Sequence, residues 1–438
     1  NLSKVGLALG TFGLCQWALN DLVHLPGGGF GLVAVGAGAW WLTQPVRKGF
    51  RSPSSVQGWI DRCKQVIDEF EKLEESKTDL KTERLELLDN VLVRSEDQSL
   101  AFIGSCGIDR LDKEAVKSLF NKSRSIELFW ESSLPKGDDS WAWPEKLDER
   151  DLLVYMLQLP LRASDLLWLK KLPKDQPSWI VVSWTEKNTT WEDQLNELYA
   201  QLPGRWKNQI IRLPECIISK ELPLIFAPIL KALENPKRNF DLTTQRLLGR
   251  LHSSWQSDLE QLRRNKFREI QQRTQWVVAG TVFASPVPST DLMAIAVVNG
   301  LMIQEMASLW SCSLKPEVLQ IVARQLVGAA LAQGIVEWSS QALLGVAKLH
   351  GGSWLAAGAL QALSAAYLTR VVGRSMADWM ALNNGVQECD LEALKLQAPQ
   401  IVANAAKEER VDWSNFLKQA SDWSDEIKIN KSMKLKAS

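Results

Sequence analysis

The sequence predicts an α/β-plus-α-helical chain: an N-terminal transmembrane helical hairpin, a mostly parallel sheet domain and a C-terminal helical, membrane-associated bundle. Three observations predict it. Val5 to Val23, whose first charge is Asp21, and the uncharged Gly28 to Val46 each have about the length that crosses a bilayer core as a helix. Between Asp97 and Pro228 five short apolar runs alternate with helical stretches, the rhythm of a parallel sheet. A Gly/Ala/Leu-rich region, Trp276 to Gly373, follows a basic helical stretch. The expected domains are the hairpin at 1–50, a long amphipathic, coiled-coil-like helix at 51–96, the α/β domain at 97–235, the basic helix and helical domain at 236–388, and a polar helical tail at 389–438.

With 51 Lys plus Arg against 51 Asp plus Glu the chain is neutral, which removes the case for a nucleic-acid-binding protein. Cys15, Cys63, Cys106, Cys216, Cys312 and Cys389 are scattered, and the three histidines lie far apart. Neither a zinc site nor a disulfide framework is expected, in keeping with a reducing compartment. Twenty tryptophans stand against three tyrosines; membrane interfaces and ordinary cores both favour tryptophan, so composition does not separate them.

In the hairpin, His24 to Gly27 make the turn, and Gly6 with Gly10 and Gly27 with Gly31 give the four-residue spacing that lets helices approach closely in lipid. Lys4 precedes the first span and Arg47, Lys48 and Arg51 follow the second. The positive-inside rule then puts both ends, and the bulk of the chain, on the cytoplasmic side. Trp17, Trp40 and Trp41 join the three basic residues as membrane-contacting candidates. A buried soluble hairpin is the competing reading; a cleaved signal peptide fits less well, because a second apolar segment follows at once.

From Trp59 to Ile103 no glycine or proline occurs, and Trp59, Cys63, Val66, Phe70, Leu73, Leu80 and Leu87 alternate by fours and threes. Lys77 and Arg84 interrupt the seam. One helix of about 30 residues is expected, packed on the chain's own helices or self-associating through 56–90.

Strands are expected at 101–104, 126–130, 152–157, 179–183 and 209–213, with a surface loop between Glu131 and Arg150. The first strand enters Gly104-Ser105-Cys106-Gly107-Ile108-Asp109-Arg110-Leu111, followed by a helix. That is the setting of a phosphate-binding loop without its chemistry, because G-x-x-x-x-G-K-[ST] requires glycine, lysine and a hydroxyl where Asp109, Arg110 and Leu111 stand. Leu111 offers no oxygen to Mg²⁺. Asp109 places a carboxylate beside a polyanion, which at about 4 Å and an effective dielectric near 20 costs on the order of 4 kcal/mol, or roughly a thousandfold in affinity.

The order and spacing of these runs resemble the Era/TrmE-like branch of small GTPases. Where that family carries D-x-P-G, the chain has Gln158, Leu159, Pro160 and Leu161, and where it carries N-K-x-D the chain has Ser183, Trp184, Thr185 and Glu186. The resemblance implies a small-GTPase-like sheet whose nucleotide site would be Gly104, Ser105, Gly107, Asp109, Arg110, Gln158, Pro160, Ser183 and Glu186. Each motif has lost its chemistry. No catalytic residue, metal ligand or cofactor is therefore expected, with GTP and Mg²⁺ as the alternative.

Between Lys237 and Arg273 nine Lys or Arg face four Asp or Glu, a charge that suits lipid headgroups or a solvated helix face equally. Beyond it, Ala284-Ser285-Pro286-Val287-Pro288-Ser289-Thr290-Asp291-Leu292, an apolar helix and a Gly/Ala-rich hairpin resemble the C-terminal membrane domain of YcjF-like proteins. Glu305, Arg324, Glu337 and Lys348 interrupt the apolar runs, so partial insertion or a close-packed bundle on the membrane is expected. Glu305 and Glu337 are candidate functional polar groups, and Trp413, Phe416 and Trp423 give the tail an apolar stripe.

These readings lead to a membrane-anchored pseudo-GTPase, not an enzyme, that scaffolds or assembles a membrane protein complex. The resemblance implies a cyanobacterial setting, a thylakoid or plasma membrane, lipid contact and a photosystem-related partner. The alternative is an active, divergent GTPase that tethers or remodels membranes.

Overall fold

The computed structural model describes residues 52–74, 78–93, 97–104, 111–121, 125–131, 143–183, 190–202, 204–214, 218, 220–284, 288–312, 315–349, 359–382 and 391–423. The hairpin expected at 5–46, with Trp17, Trp40, Trp41, Arg47, Lys48 and Arg51, lies outside them. The described chain is mostly helical with a five-stranded parallel sheet. It groups into two compact units, one within Phe50–Ser257 and one within Asp258–Ser438.

The first unit opens with helix α1, Val56–Leu73, capped by Ser55, whose hydroxyl accepts from the Gly58 amide at 3.1 Å. Helix α2, Thr78–Leu92, follows. The single long helix expected here is thus two helices, and the seam explains why. Arg84, which broke the apolar pattern, donates to both carboxylate oxygens of Glu74 at 2.7 Å and lies 3.7 Å from the Phe70 ring centre. Lys81 pairs with Glu71 at 2.8 Å. The charge that interrupts a seam on one helix is a cross-helix contact once α2 returns against α1.

The sheet comprises β1 (Gln98–Gly104), β2 (Ile126–Trp130), β3 (Leu152–Gln158), β4 (Ser178–Ser183) and β5 (Ile210–Leu213). All pairings are parallel, in the order β2-β1-β3-β4-β5. Every strand agrees with its apolar run in the sequence. The two-residue period then sorts the side chains onto two faces. Leu100, Phe102, Val154 and Met156 pack under α3 (Lys113–Phe120), α6 (Leu222–Ile225) and α7 (Ala227–Ala232). Ala101, Ile103, Tyr155 and Leu157 pack under α4 (Ala163–Lys171) and α5 (Trp191–Gln201). Parallel strands buried on both faces need such continuous apolar runs. Of the stretch expected to be a surface loop between Glu131 and Arg150, the described residues 143–150 turn partly inward: Leu147 is buried and the Trp143 indole donates to Asp148 at 2.7 Å.

Helix α8, Pro236–Ala284, is 49 residues long, and its first part belongs to this unit. Proline opens it, because its fixed φ suits the first helical turn. Thr243 and Ser99 both donate to the buried Asp151 carboxylate, at 2.8 and 3.1 Å. Arg246 donates to the carbonyls of Arg150 and Asp148 at 2.7 and 2.9 Å, and Arg250 pairs with Asp148. These bonds satisfy polar groups at the N-terminal ends of the central strands β1 and β3 and fix α8 there. Gly249 packs closely on α1: a Cβ there would lie 3.3 Å from the Trp59 ring, which would have to give slightly.

The second unit assembles the rest of α8 with α9 (Pro288–Leu309), α10 (Pro316–Ala332), α11 (Ile335–Leu349), α12 (Ala359–Leu382), α13 (Leu391–Val411) and a helix over 413–423. Leu319, Val322, Leu326 and Ala330, at helical spacing, turn α10 inward. α12 is buried on nearly every side and forms the centre. Its Arg370 and Glu409 of α13, 7% and 1% exposed, pair at 2.7 Å. α13 continues through Pro399. Among the described residues no single helix is long and apolar enough to cross a membrane. α10 with residues Ile335–Val346, bent by 52°, passes together on length and composition.

Candidate functional site

In the first unit the strand order reverses beside β1: β2 lies on one side and β3 on the other. In a doubly wound sheet the crevice outside the C-terminal ends of the two strands at that reversal is where ligands bind. Gly104 closes β1 there, in register with Met156. A Cβ on Gly104 would meet the Met156 carbonyl oxygen at 2.4 Å, so glycine is dictated by the neighbouring backbone. That requirement is steric and exists without any ligand.

Gln158 ends β3 half-buried and pairs in register with Ser183 of β4. The Ser183 hydroxyl donates to the Leu157 carbonyl at 3.3 Å, and its own carbonyl accepts from the Leu159 amide at 2.9 Å. Leu159–Pro160 is a cis peptide, with Pro160 exposed. Gly104, Gln158, Pro160 and Ser183 thus gather at one end of the sheet. Ser105, Gly107, Asp109, Arg110 and Glu186 lie outside the described residues.

The helix after the loop is informative. Leu111, at the position where a phosphate loop carries its hydroxyl, is 4% exposed and packs with Val116 and Phe120. Asp112 caps α3, its Oδ1 accepting from the amides of Glu114 and Ala115 at 3.1 and 3.3 Å. A helix N-terminus attracts phosphate through unpaired amides and the positive end of the helix dipole. Here the chain's own carboxylate takes two of those amides, and Glu114 adds a second negative charge to the first turn. Sequence reasoning missed Asp112. The signal was the ordinary one, an Asp before a helix with an acid in its first turn.

Elsewhere on this unit the polar groups serve the fold. Tyr155 donates to Asp165 at 2.8 Å across the α4 face. Burial pushes the Cys63 thiol up to about 11, a protonated, inert group. Burial and then Arg62 push His252 down from its ordinary 6.5. Among the described residues no three His, Cys, Asp or Glu side chains converge as metal ligands.

In the second unit, Glu305 pairs with Arg273 at 2.5 Å beside a cleft of about 620 Å³ between α8 and α9. Glu337 is exposed in the first turn of α11, and half-buried Arg324 leaves its Nε without a hydrogen-bond partner among the described residues. A charged chain ties α8 to α9 and α12: Arg264 donates to Glu260 and Asp378 at 2.6 and 2.5 Å, while the Trp310 indole donates to Glu260 at 2.9 Å. Burial raises Asp378 above its ordinary value, and Arg264 offsets this in part.

A family model described as "Domain of unknown function (DUF697)" matches residues 246–407. The match begins at Arg246, which holds the segment leading into β3, and ends at Lys407 of α13. No curated protein and no solved structure matches the chain.

Proposed function

We propose that the chain is a membrane-anchored, GTPase-like scaffold without nucleotide turnover, acting as an assembly factor for a membrane protein complex. The resemblance to YcjF-like proteins is what favours a thylakoid or plasma membrane as its setting and a photosynthetic complex as its partner. One observation carries the loss of turnover: the Asp112 carboxylate occupies the N-terminal amides of α3, where a phosphate loop presents its helix to the nucleotide. Gln158 and Ser183 add no carboxylate to the crevice, and Leu111 is committed to the core. The apolar spans at 5–23, charged only at Asp21, and at 28–46, uncharged, supply the anchor.

The test is calorimetric titration of the full chain with GTP, GDP and ATP, with and without Mg²⁺. The expected result is no heat at millimolar nucleotide. Binding tighter than about 10 μM, abolished by Arg110→Ala, would overturn the reading in favour of an active, divergent GTPase. That second reading draws on the crevice beside Gly104, which retains the position of a ligand site, and it requires nucleotide-dependent vesicle binding.

A further inference from the structure

The end of α13 and the residue after it read Lys407-Glu408-Glu409-Arg410-Val411-Asp412, and the bundle sorts these charges by sign. Every acid faces the arginines of α12. Glu409 accepts from Arg370 at 2.7 Å and from Arg374 at 3.0 Å, Asp412 accepts from Arg370 at 2.5 Å, and Glu408 pairs with Arg374. Lys407 and Arg410 lie exposed on the opposite side, and the Arg410 guanidinium is held 4.6 Å from the Trp338 ring centre. Between this side of α13 and the start of α11 lies a cleft of about 410 Å³. Ile335, Ala403 and Ala406 make its apolar wall, Lys407 and Arg410 its charged rim, and Val411, 82% exposed, its mouth. Gln333 fixes the opposite lip by donating to the Pro399 carbonyl at 2.7 Å. Glu337 sits against Gly334 and does not line the cleft.

We infer that this cleft is a docking site for the headgroup of an anionic phospholipid. Lys407 and Arg410, which form no ion pair among the described residues, select a phosphate. The apolar wall and the exposed valine beside them suit the first methylenes of an acyl chain, the combination that seats a surface helix at a lipid interface. The inference rests on the membrane reading above, but its test does not depend on the anchor. The detergent-solubilised full chain is titrated with dihexanoyl phosphatidylglycerol, dihexanoyl phosphatidylcholine and inorganic phosphate, and binding is read by calorimetry and by melting temperature. Phosphatidylglycerol is expected to bind more tightly than either of the others. Lys407→Gln weakens it about fivefold, and Lys407→Gln with Arg410→Gln about 25-fold, each cation near a lipid headgroup contributing about a factor of five. Lys407→Gln removes an exposed side chain, so the unliganded melting temperature stays unchanged and the loss reports binding. Equal binding of the zwitterionic lipid, undiminished binding by the double variant, or inorganic phosphate matching phosphatidylglycerol would each overturn the assignment. A chain that fails to associate with membranes yet binds phosphatidylglycerol here would refute the anchor and leave the cleft intact.

Discussion

At the scale of single residues, the positions that look most like a nucleotide site are explained by packing. Gly104 is needed because the Met156 carbonyl leaves no room for a Cβ, Leu111 because the sheet face needs an apolar side chain. Asp112 is a helix cap. The histidine that sequence reasoning left unassigned, His252, lies against Trp59 with ring centres 5.7 Å apart. Its folded-state pKa is lowered, first by burial and then by Arg62, so the native state favours the neutral ring. Above the ordinary value of 6.5 the imidazole is neutral folded or unfolded and contributes no pH dependence. Below it the unfolded chain binds a proton that the folded chain resists, and stability falls as pH falls. Urea melts between pH 7.5 and 5.5 should therefore show a smaller acid loss for His252→Gln than for the wild type; equal slopes would rule out this residue as the source.

Among the elements, the five strands were legible because each is a β-rich apolar run bounded by polar turns, and burial on both faces leaves little room for another pattern. The α1–α2 pair was not legible in the same way. Arg84 reads as a defect until Glu74 and Phe70 stand opposite it, and no periodicity within one helix reveals a partner on another. The α12–α13 contact is of the same kind. Arg370 and Glu409 are buried, so their attraction has to offset a desolvation cost that falls on both. Removing one partner should cost far more than removing both. Arg370→Met alone is expected to lower stability in urea denaturation, by less than the roughly 3 to 5 kcal/mol of a wholly unpaired buried charge, because Arg374 still donates to the buried Glu409 at 3.0 Å. Arg370→Met with Glu409→Leu should recover most of that loss, since Glu408 still pairs with Arg374; a double variant as unstable as the single would show that the ion pair itself supplies the stability.

For the molecule as a whole, hydropathy divides the chain into the apolar stretches before residue 47 and a region after residue 276 where charges recur. In the bundle those charges have places: Glu305 on Arg273, Arg264 between Glu260 and Asp378, Arg370 on Glu409. Its apolar helices bury their faces on one another, with α12 innermost. If the anchor is the N-terminal hairpin, alkaline carbonate should leave the full chain in the membrane pellet and release a chain beginning at Ser52. Release of the full chain by high salt alone would assign its attachment to surface charge instead.

The sequence by itself determined the parallel sheet, the position of its strands along the chain, and the absence of the residues a phosphate loop needs. These are local properties, written in runs of a few side chains. Only the tertiary structure decided that α1 and α2 are separate helices, that Asp112 occupies the α3 terminus, and that the acids of 407–412 turn to α12 and leave two cations beside an apolar cleft. Each of those depends on which groups from distant parts of the chain meet, and a charge in a sequence carries no mark of whether its partner will be water, an arginine or a lipid.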